Sequence, residues 1–539
     1  METGTQQLSE EELLKMPNRI TDTLNDRVVL ITGATGFMGK VLVEKILRKC
    51  PGVDTVYVLV RPKKGREPRQ RVEDIFTSPL YDKLKAQRGL AILKKVVGIA
   101  GDVSAPDLGL SEADRKLLCE RVDIVVHAAA TIRFDEPLKK IILLNTRGTH
   151  LMLELAAQMK KLEGFFYIST AYCHLSEKVL YEKVYPPPAD PHTIIKLVET
   201  TSEEVLEAMT KTLLGNLPNT YSLSKALAEG LVAEQMDKLP VMILRPSVVI
   251  PVWEEPLPGW TDNINGPTGL LIGAGKGVIR TMYCKSEGYA DFIPVDAACS
   301  GVLLAIWNFI GNKDWEHRVV HLTTSSEVRV SWSQIIDLGR RLTQKVPFNN
   351  ILWYPGGSMK NSRWVHNICV LLFHILPAIF IDTLIFLSGH KPVLLRIHRR
   401  IIKGFEMFEY YANNQWEFQN DLVVIIRGRM NARELQEINI DSSKVDLEAY
   451  FEDCIRAARL YILKETPEQL PAARRHMRIM YWVDKITKFL LLVLLMYTIF
   501  SWSDTIVELF LGIFRLIGSA VNALTGPAPV YPVPSDSAP

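Results

Sequence analysis

One turn constrains this 539-residue chain more than any other feature: Thr32-Gly33-Ala34-Thr35-Gly36-Phe37-Met38-Gly39-Lys40. It stands directly after the apolar run Val28-Val29-Leu30-Ile31 and directly before a helical pattern over residues 41–47. A glycine-rich strand-to-helix turn is built to hold a phosphate. Gly33 lets the chain leave the strand sharply, Gly36 removes the Cβ that would block a pyrophosphate, and Gly39 lets the new helix pack tightly on the sheet. The helix N-terminus then faces the anion. The spacing is G-x-x-G-x-x-G rather than the commoner G-x-G-x-x-G, so the turn taken alone also fits an ordinary strand-turn-helix.

The rest of the chain supplies the context. From about Arg27 to Pro246, short β-branched runs alternate with longer amphipathic stretches, the pattern of an α/β, Rossmann-like doubly wound parallel sheet covered by helices. Strands are predicted over residues 28–32, 56–60, 96–100, 124–127, 165–169 and 242–245, and helices over 38–50, 111–119, 141–159 and 222–238. Pro186-Pro187-Pro188-Ala189-Asp190-Pro191 reads as a loop leaving the sheet. After Pro246 the sequence turns irregular and rich in Trp, Pro and Gly (253–260, 266–277), as expected of a substrate-binding subdomain.

A mainly helical region follows, over about 351–468, with an apolar stretch at 365–387 interrupted by His366, His374, Pro377 and Asp382. Those interruptions favour a membrane-dipping or buried helix over a span. The tail reads as a membrane segment: 489–502 is uncharged and apolar behind Lys485 and Lys488, and a second apolar block covers 505–525. One tilted span or a short hairpin both fit. Arg474-Arg475-His476-Met477-Arg478 precedes it and no Lys or Arg follows Arg515, which places the main body on the cytosolic side.

Charge and cysteine content exclude other classes. A net charge of +3 gives no reason to expect nucleic acid. The seven cysteines are scattered without C-x-x-C or a zinc-like Cys/His grouping, implying reduced thiols and no metal. The polar, acidic N-terminal segment does not resemble a secretory signal.

The chemistry is carried by Asn219-Thr220-Tyr221-Ser222-Leu223-Ser224-Lys225, which opens a helix and sets Tyr221 and Lys225 on one face at i, i+4. An adjacent ammonium is expected to lower the phenol's pKa, so that Tyr221 can exchange a proton with a substrate oxygen, while Lys225 also reaches a dinucleotide ribose. Tyr167-Ile168-Ser169-Thr170-Ala171 supplies hydroxyls at the end of another strand. Together these motifs resemble the extended short-chain dehydrogenase/reductases. That resemblance implies a Ser/Thr hydroxyl on the reacting oxygen, with Thr170 favoured and Ser169 second; for Ser169 the plainer reading is backbone capping at the strand end. It further implies an adenine contact at Asp102, close passage of the chain at Ala129, a supporting Asn145, and a turn beside the nicotinamide at Pro246.

The dinucleotide-binding set is therefore Gly33, Thr35, Gly36, Phe37, Met38, Gly39, Asp102, Ala129, Asn145, Lys225 and Pro246, extended by the end of the second strand. There an NAD site usually places Asp or Glu, but this chain reads Val60-Arg61-Pro62-Lys63-Lys64-Gly65-Arg66, which suits a 2′-phosphate and predicts NADPH through Arg61, with Lys63 or Arg66 assisting. A solvated basic turn is the alternative.

A longer series of runs resembles the fatty acyl-CoA reductases: ITGATGFMGKVLVEKILR, VYVLVRPKKG, HAAATIRFDEPL, ISTAYCH, YPPPADP, NTYSLSKALAE, LRPSVV, PGWTDNINGPTGLLIGAGKG, IPVDAACSG and LPAARRH, in that order. The resemblance implies NADPH-dependent reduction of a long-chain acyl-CoA to a primary alcohol with release of CoA, at an endoplasmic reticulum or peroxisome membrane. It divides the chain into a polar segment (1–25), a reductase domain (26–345), a C-terminal domain (346–468), a basic flank with apolar tail (469–525) and a Pro-rich end (526–539). An extended reductase acting on a sugar nucleotide or hydroxysteroid, and a membrane scaffold that binds NADPH without turnover, are the other readings; chain length, organelle and oligomeric state are left open by the sequence.

Overall fold

The computed structural model describes residues 9–62, 65, 67–264 and 266–525. Lys63, Arg66 and the Pro-rich end lie outside the described residues. Up to Arg474 the chain forms one compact unit, and from Arg475 a second.

The first unit is organised by a seven-stranded, all-parallel sheet: β1 (Val28–Thr32), β2 (Thr55–Val60), β3 (Val96–Ala100), β4 (Ile124–His127), β5 (Gly164–Ile168), β6 (Val241–Pro246) and β7 (Val319–Leu322). Their spatial order is β7-β6-β5-β4-β1-β2-β3, so the chain winds outward from β1 in one direction and then, from β4, in the other. Six strands match the sequence reading to within a residue or two. The seventh, Val-Val-His-Leu, was missed: four residues give too little alternation to register as a strand.

Alternation within the strands decides the packing. Val29, Ile31, Val56, Val58 and Val126 face one core with helices α1 (Phe37–Lys49) and α3 (Val295–Ile306). Val28, Leu30, Tyr57, Val125 and Phe165 face the other, with helix α2 (Thr220–Ala233) and the helical stretch 138–156. Both faces are covered, as a parallel sheet with helical crossovers requires. The 138–156 stretch is α-helical at Leu138–Ile141 and Gly148–Ala156, with a π-helical segment, Ile142–Arg147, between them.

Later segments are woven into this body. Glu417–Phe418 pairs with Val179–Leu180, Ser358–Lys360 with Thr281–Tyr283, and Phe292–Pro294 with Val248–Ile250. A nearly continuous helix covers 363–387, formed by α4 (Arg363–Val370), a π-helical turn and α5 (Leu376–Leu387), and it folds back on α6 (Leu394–Asn413).

The second unit consists of most of α7 (Leu470–Ser501) followed by α8 (Ser503–Thr525). Its uncharged run from Phe489 to Ser501 rises roughly 20 Å, short of the ~30 Å hydrocarbon core. Among the described residues only Arg363–Leu387 is long and apolar enough to cross a membrane, with a mean hydropathy of 2.4 and only 17% of that window buried. The buried-helix reading of 365–387 does not hold, since most of that helix is exposed.

Candidate active site

In a doubly wound sheet a crevice opens at the carboxyl ends of the two strands where winding changes direction. Here these are β1 and β4, paired from Val29↔Ile124 to Thr32↔His127. Gly33 leaves β1 with φ +77°, and a Cβ there would sit 2.7 Å from the Ala128 carbonyl, so no side chain fits on either count. Beneath the crevice Thr32 Oγ1 lies 2.7 Å from His127 Nδ1, and His127 Nε2 lies 3.1 Å from Thr149 Oγ1. Burial pulls His127 down to about 3, so the ring is neutral. Thr149 gives its own proton to the Asn145 carbonyl at 2.7 Å. It therefore accepts from Nε2–H, Nδ1 accepts from Thr32, and Thr32 Oγ1 accepts from the Ala129 amide at 3.1 Å. This chain fixes both lips of the crevice.

Gly36 is the exposed N-cap of α1 and offers no capping side chain for the amides opening the helix. Thr35, Phe37 and Met38 are half-buried beside it. Gly39 does something other than expected: its Cβ would lie 2.2 Å from the Gly33 carbonyl oxygen and 2.7 Å from Ala34 Cα, so it packs the helix onto the loop itself rather than onto the sheet. Gly39→Ala should therefore push Gly33 out of place. The expected outcome is at least a tenfold loss of dinucleotide affinity by fluorescence titration, with a loss of about 1–3 kcal/mol in stability.

The other predicted cofactor residues cluster at the same edge. Arg61 is exposed directly after β2. Asp102, two residues past β3, holds a tight turn by accepting from Ser104 N (2.9 Å) and Ser104 Oγ (2.8 Å), leaving its second carboxylate oxygen for other contacts. Pro246 ends β6, opposite Leu322. Asn145 sits in the π-helical segment, accepts from Thr131 N at 2.9 Å, and donates to Thr131 O and Ser224 Oγ at 3.1 and 2.9 Å. It thereby ties the loop after β4 to α2. The extra residue per turn of a π-segment, common at functional sites, turns Asn145 into this position.

On α2, Asn219 caps the helix by accepting from Ser222 N at 2.9 Å. Tyr221 is partly exposed, and the Thr170 hydroxyl acts on its phenol, pulling its pKa down. Ser169 Oγ instead lies 3.9 Å from Cys173 Sγ. The capping role suggested for Ser169 belongs to Thr170, whose Oγ1 accepts from Tyr172 N at 3.2 Å. Of the two hydroxyls, only that of Thr170 acts on Tyr221.

Lys225 departs from its expected electrostatic role. Its Nζ donates to the Ile168 carbonyl at 2.7 Å and to Tyr167 Oη at 3.3 Å, and burial pulls it down to about 8. Tyr221 moves up from the ordinary tyrosine value, because loss of water outweighs the hydrogen bond from Thr170. Lys225 is not among the groups that move it, and the phenol stays protonated at neutral pH.

Two features escaped the sequence reading. The first is a buried charge network: Arg245 donates from Nε and Nη2 to Glu229 at 2.9 and 2.7 Å, and His174 Nε2 lies 2.8 Å from the same carboxylate. Cys173 Sγ also approaches Glu229, at 3.4 Å. Burial opposes the charge on His174, yet Cys173 and Glu229 beside it hold it up to about 10. The second is Tyr411 on α6, which accepts from Asn219 Nδ2 at 2.8 Å and lies 3.3 Å from Ser222 Oγ. The Phe134 ring lies between it and Tyr221, with centroids 5.3 and 5.6 Å away. No local motif marks Tyr411, since its partners are about 190 residues away.

An apolar cavity of about 250 Å³ is lined by Leu270, Leu271, Met282, Phe292, Ile335 and Phe408 among others. Tyr221, Thr170 and Lys225 do not line it. The irregular region predicted to build a pocket does so through helix Pro267–Gly275, whereas Trp260 is buried against Phe37 at 5.9 Å.

Comparison with known proteins bears on what this crevice serves. An NAD-binding family model described as "Male sterility protein" matches residues 31–302, and a second of the same description, Sterile, matches 373–465. Fatty acyl-CoA reductase 1 of Rattus norvegicus is 37% identical over 449 residues, 83% of this chain and 87% of that one. The chain belongs to the fatty acyl-CoA reductase family. Fatty acyl-CoA reductase wat of Drosophila melanogaster is 33% identical over 446 residues, 83% and 86% of the two chains. Among solved structures, the terminal R domain of the myxalamid PKS-NRPS pathway superposes with a TM-score of 0.52 at 18% identity, covering 81% of this chain and 91% of that one. The reductase (R) domain of a non-ribosomal peptide synthetase from Mycobacterium tuberculosis gives 0.53 at 19%, covering 83% and 96%. At those identities the structures speak for the fold alone. As a fatty acyl-CoA reductase family member with an NAD-binding domain, the chain is an oxidoreductase that takes a nicotinamide cofactor.

Proposed function

We propose that this reductase converts long-chain acyl-CoA to the primary alcohol in two NADPH-dependent steps, releasing CoA. The observation that carries the reading is that α2, which bears Tyr221, is tied by Lys225 to the Ile168 carbonyl at the carboxyl end of β5, two residues before Thr170, whose hydroxyl acts on the Tyr221 phenol. The Gly33–Gly39 loop and the open α1 N-terminus would hold the pyrophosphate, Asp102 the adenine side, Lys225 the nicotinamide ribose, and Pro246 the turn beside the ring. When bound, NADPH supplies one hydride at each stage.

The protein's part is electrostatic. Thr170 and Tyr221 donate hydrogen bonds to the thioester carbonyl oxygen as negative charge develops there, and Tyr221 gives up its proton. The Tyr221 phenolate takes back the hydroxyl proton of the resulting hemithioacetal as the carbon–sulfur bond breaks, CoA leaves as thiolate, and the aldehyde meets the same two hydroxyls. Lys225, pulled down to about 8, can return a proton at neutral pH. The apolar cavity supports an acyl chain as substrate. The domain division at about 345 and 468, and a cytosol-facing body tethered at an endoplasmic reticulum or peroxisome membrane, complete the proposal.

The direct test is full-length protein in detergent with NADPH and a panel of acyl-CoAs. The expected result is two NADPH consumed per CoA and per alcohol formed; absence of CoA release from every thioester would overturn it. NADPH preference rests on Arg61. Arg61→Ala is expected to raise KM for NADPH about 10- to 100-fold, as for a lost charge-assisted hydrogen bond, while KM for NADH changes less than threefold. Equal changes for both cofactors would assign Arg61 to the solvated turn.

A further inference from the structure

The helix over 363–387 leaves its apolar surface largely uncovered. Trp364 is 81% exposed, Phe380 66%, Phe386 66% and Leu387 74%. A patch of this kind on a folded body marks an interaction surface. Its histidine and acid lie on the buried side: His374, Ala378 and Asp382, spaced at i, i+4, i+8, form the buried stripe against the protein, while Asn367 and Thr383 are the uncharged polar residues left exposed. His366, two turns before His374, meets Thr281 Oγ1 at 3.1 Å, and His374 Nε2 accepts from the Arg280 amide at 3.2 Å while its Nδ1 faces His398 at 3.3 Å. Asp382 accepts from the amides of Val393, Leu394 and Leu395 at 3.0, 2.9 and 2.8 Å, capping α6. Of the residues that interrupted the apolar pattern, His374 and Asp382 are buried and His366 is half-buried against Thr281, whereas Pro377 is exposed.

The charge beside this face has one sign. Lys391, Arg396, Arg399, Arg400 and Lys403 are exposed around the start of α6, and between Trp364 and Phe405 the only acid is the buried Asp382. An apolar face bordered by cations matches an anionic lipid surface.

The cavity leads to this face. A second opening of about 460 Å³ shares Ile336, Arg340 and Ser358 with the apolar cavity and continues to Ser362 and Val365, where the helix begins. Helix α6 links the three places: its start is capped by Asp382, Phe408 lines the cavity, and Tyr411 holds Asn219 and Ser222 on either side of Tyr221. We infer that the 363–387 helix lies in the surface of an anionic bilayer, and that acyl chains enter the cavity from the lipid through the opening beside Ser358 and Val365. The lipid contact stands on the exposed face; the acyl route rests on the proposed reductase activity.

The test uses the full chain in vesicles of phosphatidylcholine with or without phosphatidylserine. Phe386→Cys labelled with an environment-sensitive fluorophore should blue-shift and be quenched by doxyl-labelled lipid, with stronger quenching when phosphatidylserine is present. Arg396→Glu with Arg400→Glu should remove that difference. Phe380→Asp should lower kcat/KM for a vesicle-borne long-chain acyl-CoA at least tenfold, mainly through KM, and leave a water-soluble short-chain acyl-CoA within twofold. A fluorophore that stays in water, or Phe380→Asp affecting both substrates equally, would overturn the inference. Loss of reduction for every thioester in the unsubstituted protein would instead overturn the activity, leaving the quenching result to stand alone.

Discussion

Tyr221→Phe is expected to lower kcat for acyl-CoA reduction by about 10²- to 10⁴-fold, the range for loss of a positioned proton donor. The substitution removes the hydroxyl and keeps the ring that packs 5.6 Å from Phe134, so the fold and crevice should persist. Melting temperature and NADPH affinity should stay within error and within threefold respectively. Because Tyr221 is held above its ordinary value, it remains protonated across the neutral range and can donate without a prior change of state. Thr170→Val should cost less, about 10- to 100-fold, since it removes a hydrogen bond but not the proton source. Near-normal turnover in Tyr221→Phe would remove the phenol from the chemistry. A normal cellular role with no turnover would favour the scaffold reading.

The second large effect concerns stability. Glu229→Gln breaks the network in which Arg245 and His174 share one carboxylate, all three side chains being 7% exposed or less. Leaving Arg245 buried without a counter-charge should cost about 3–5 kcal/mol, read as a shift of the chemical denaturation midpoint. Glu229 itself is held well below the usual carboxylate range: burial opposes the charge, but Arg245 and His174 outweigh it. Its contribution is therefore present above the unfolded carboxylate pKa and lost as pH falls. His174 has the opposite sign. With its folded value at about 10 against an ordinary 6.5, its contribution is complete below pH 6.5 and is lost as pH rises through 10. In Glu229→Gln, His174 loses its carboxylate partner, so the fall in stability between pH 7 and 10 should flatten. An unchanged slope would show that Glu229 is not the group that holds the charge on His174.

These two outcomes divide along the line between what could be read locally and what could not. Gly33, Gly39, Tyr221 and Lys225 were legible because their roles depend on neighbours a few positions away in a turn or on one helix face. The direction of the Tyr221 shift was not legible. It is set by the burial of the phenol, while Lys225 Nζ is taken up by the Ile168 carbonyl and Tyr167 hydroxyl of β5. Gly39 was found with the wrong reason, since the surface it packs on is the loop's own Gly33 carbonyl. Glu229, Arg245 and His174 look like scattered polar residues until the sheet brings them within 3 Å.

Sequence by itself determined the doubly wound sheet, the crevice and the family, because alternation, glycine spacing and ordered motifs are properties of the chain read in line. Only tertiary structure decided which hydroxyl acts on Tyr221, which charges are buried together, and which face of 363–387 is left apolar. Those depend on distances between segments up to about 190 residues apart, and burial, which sets both the pKa values and the exposed faces, exists only once the segments have packed.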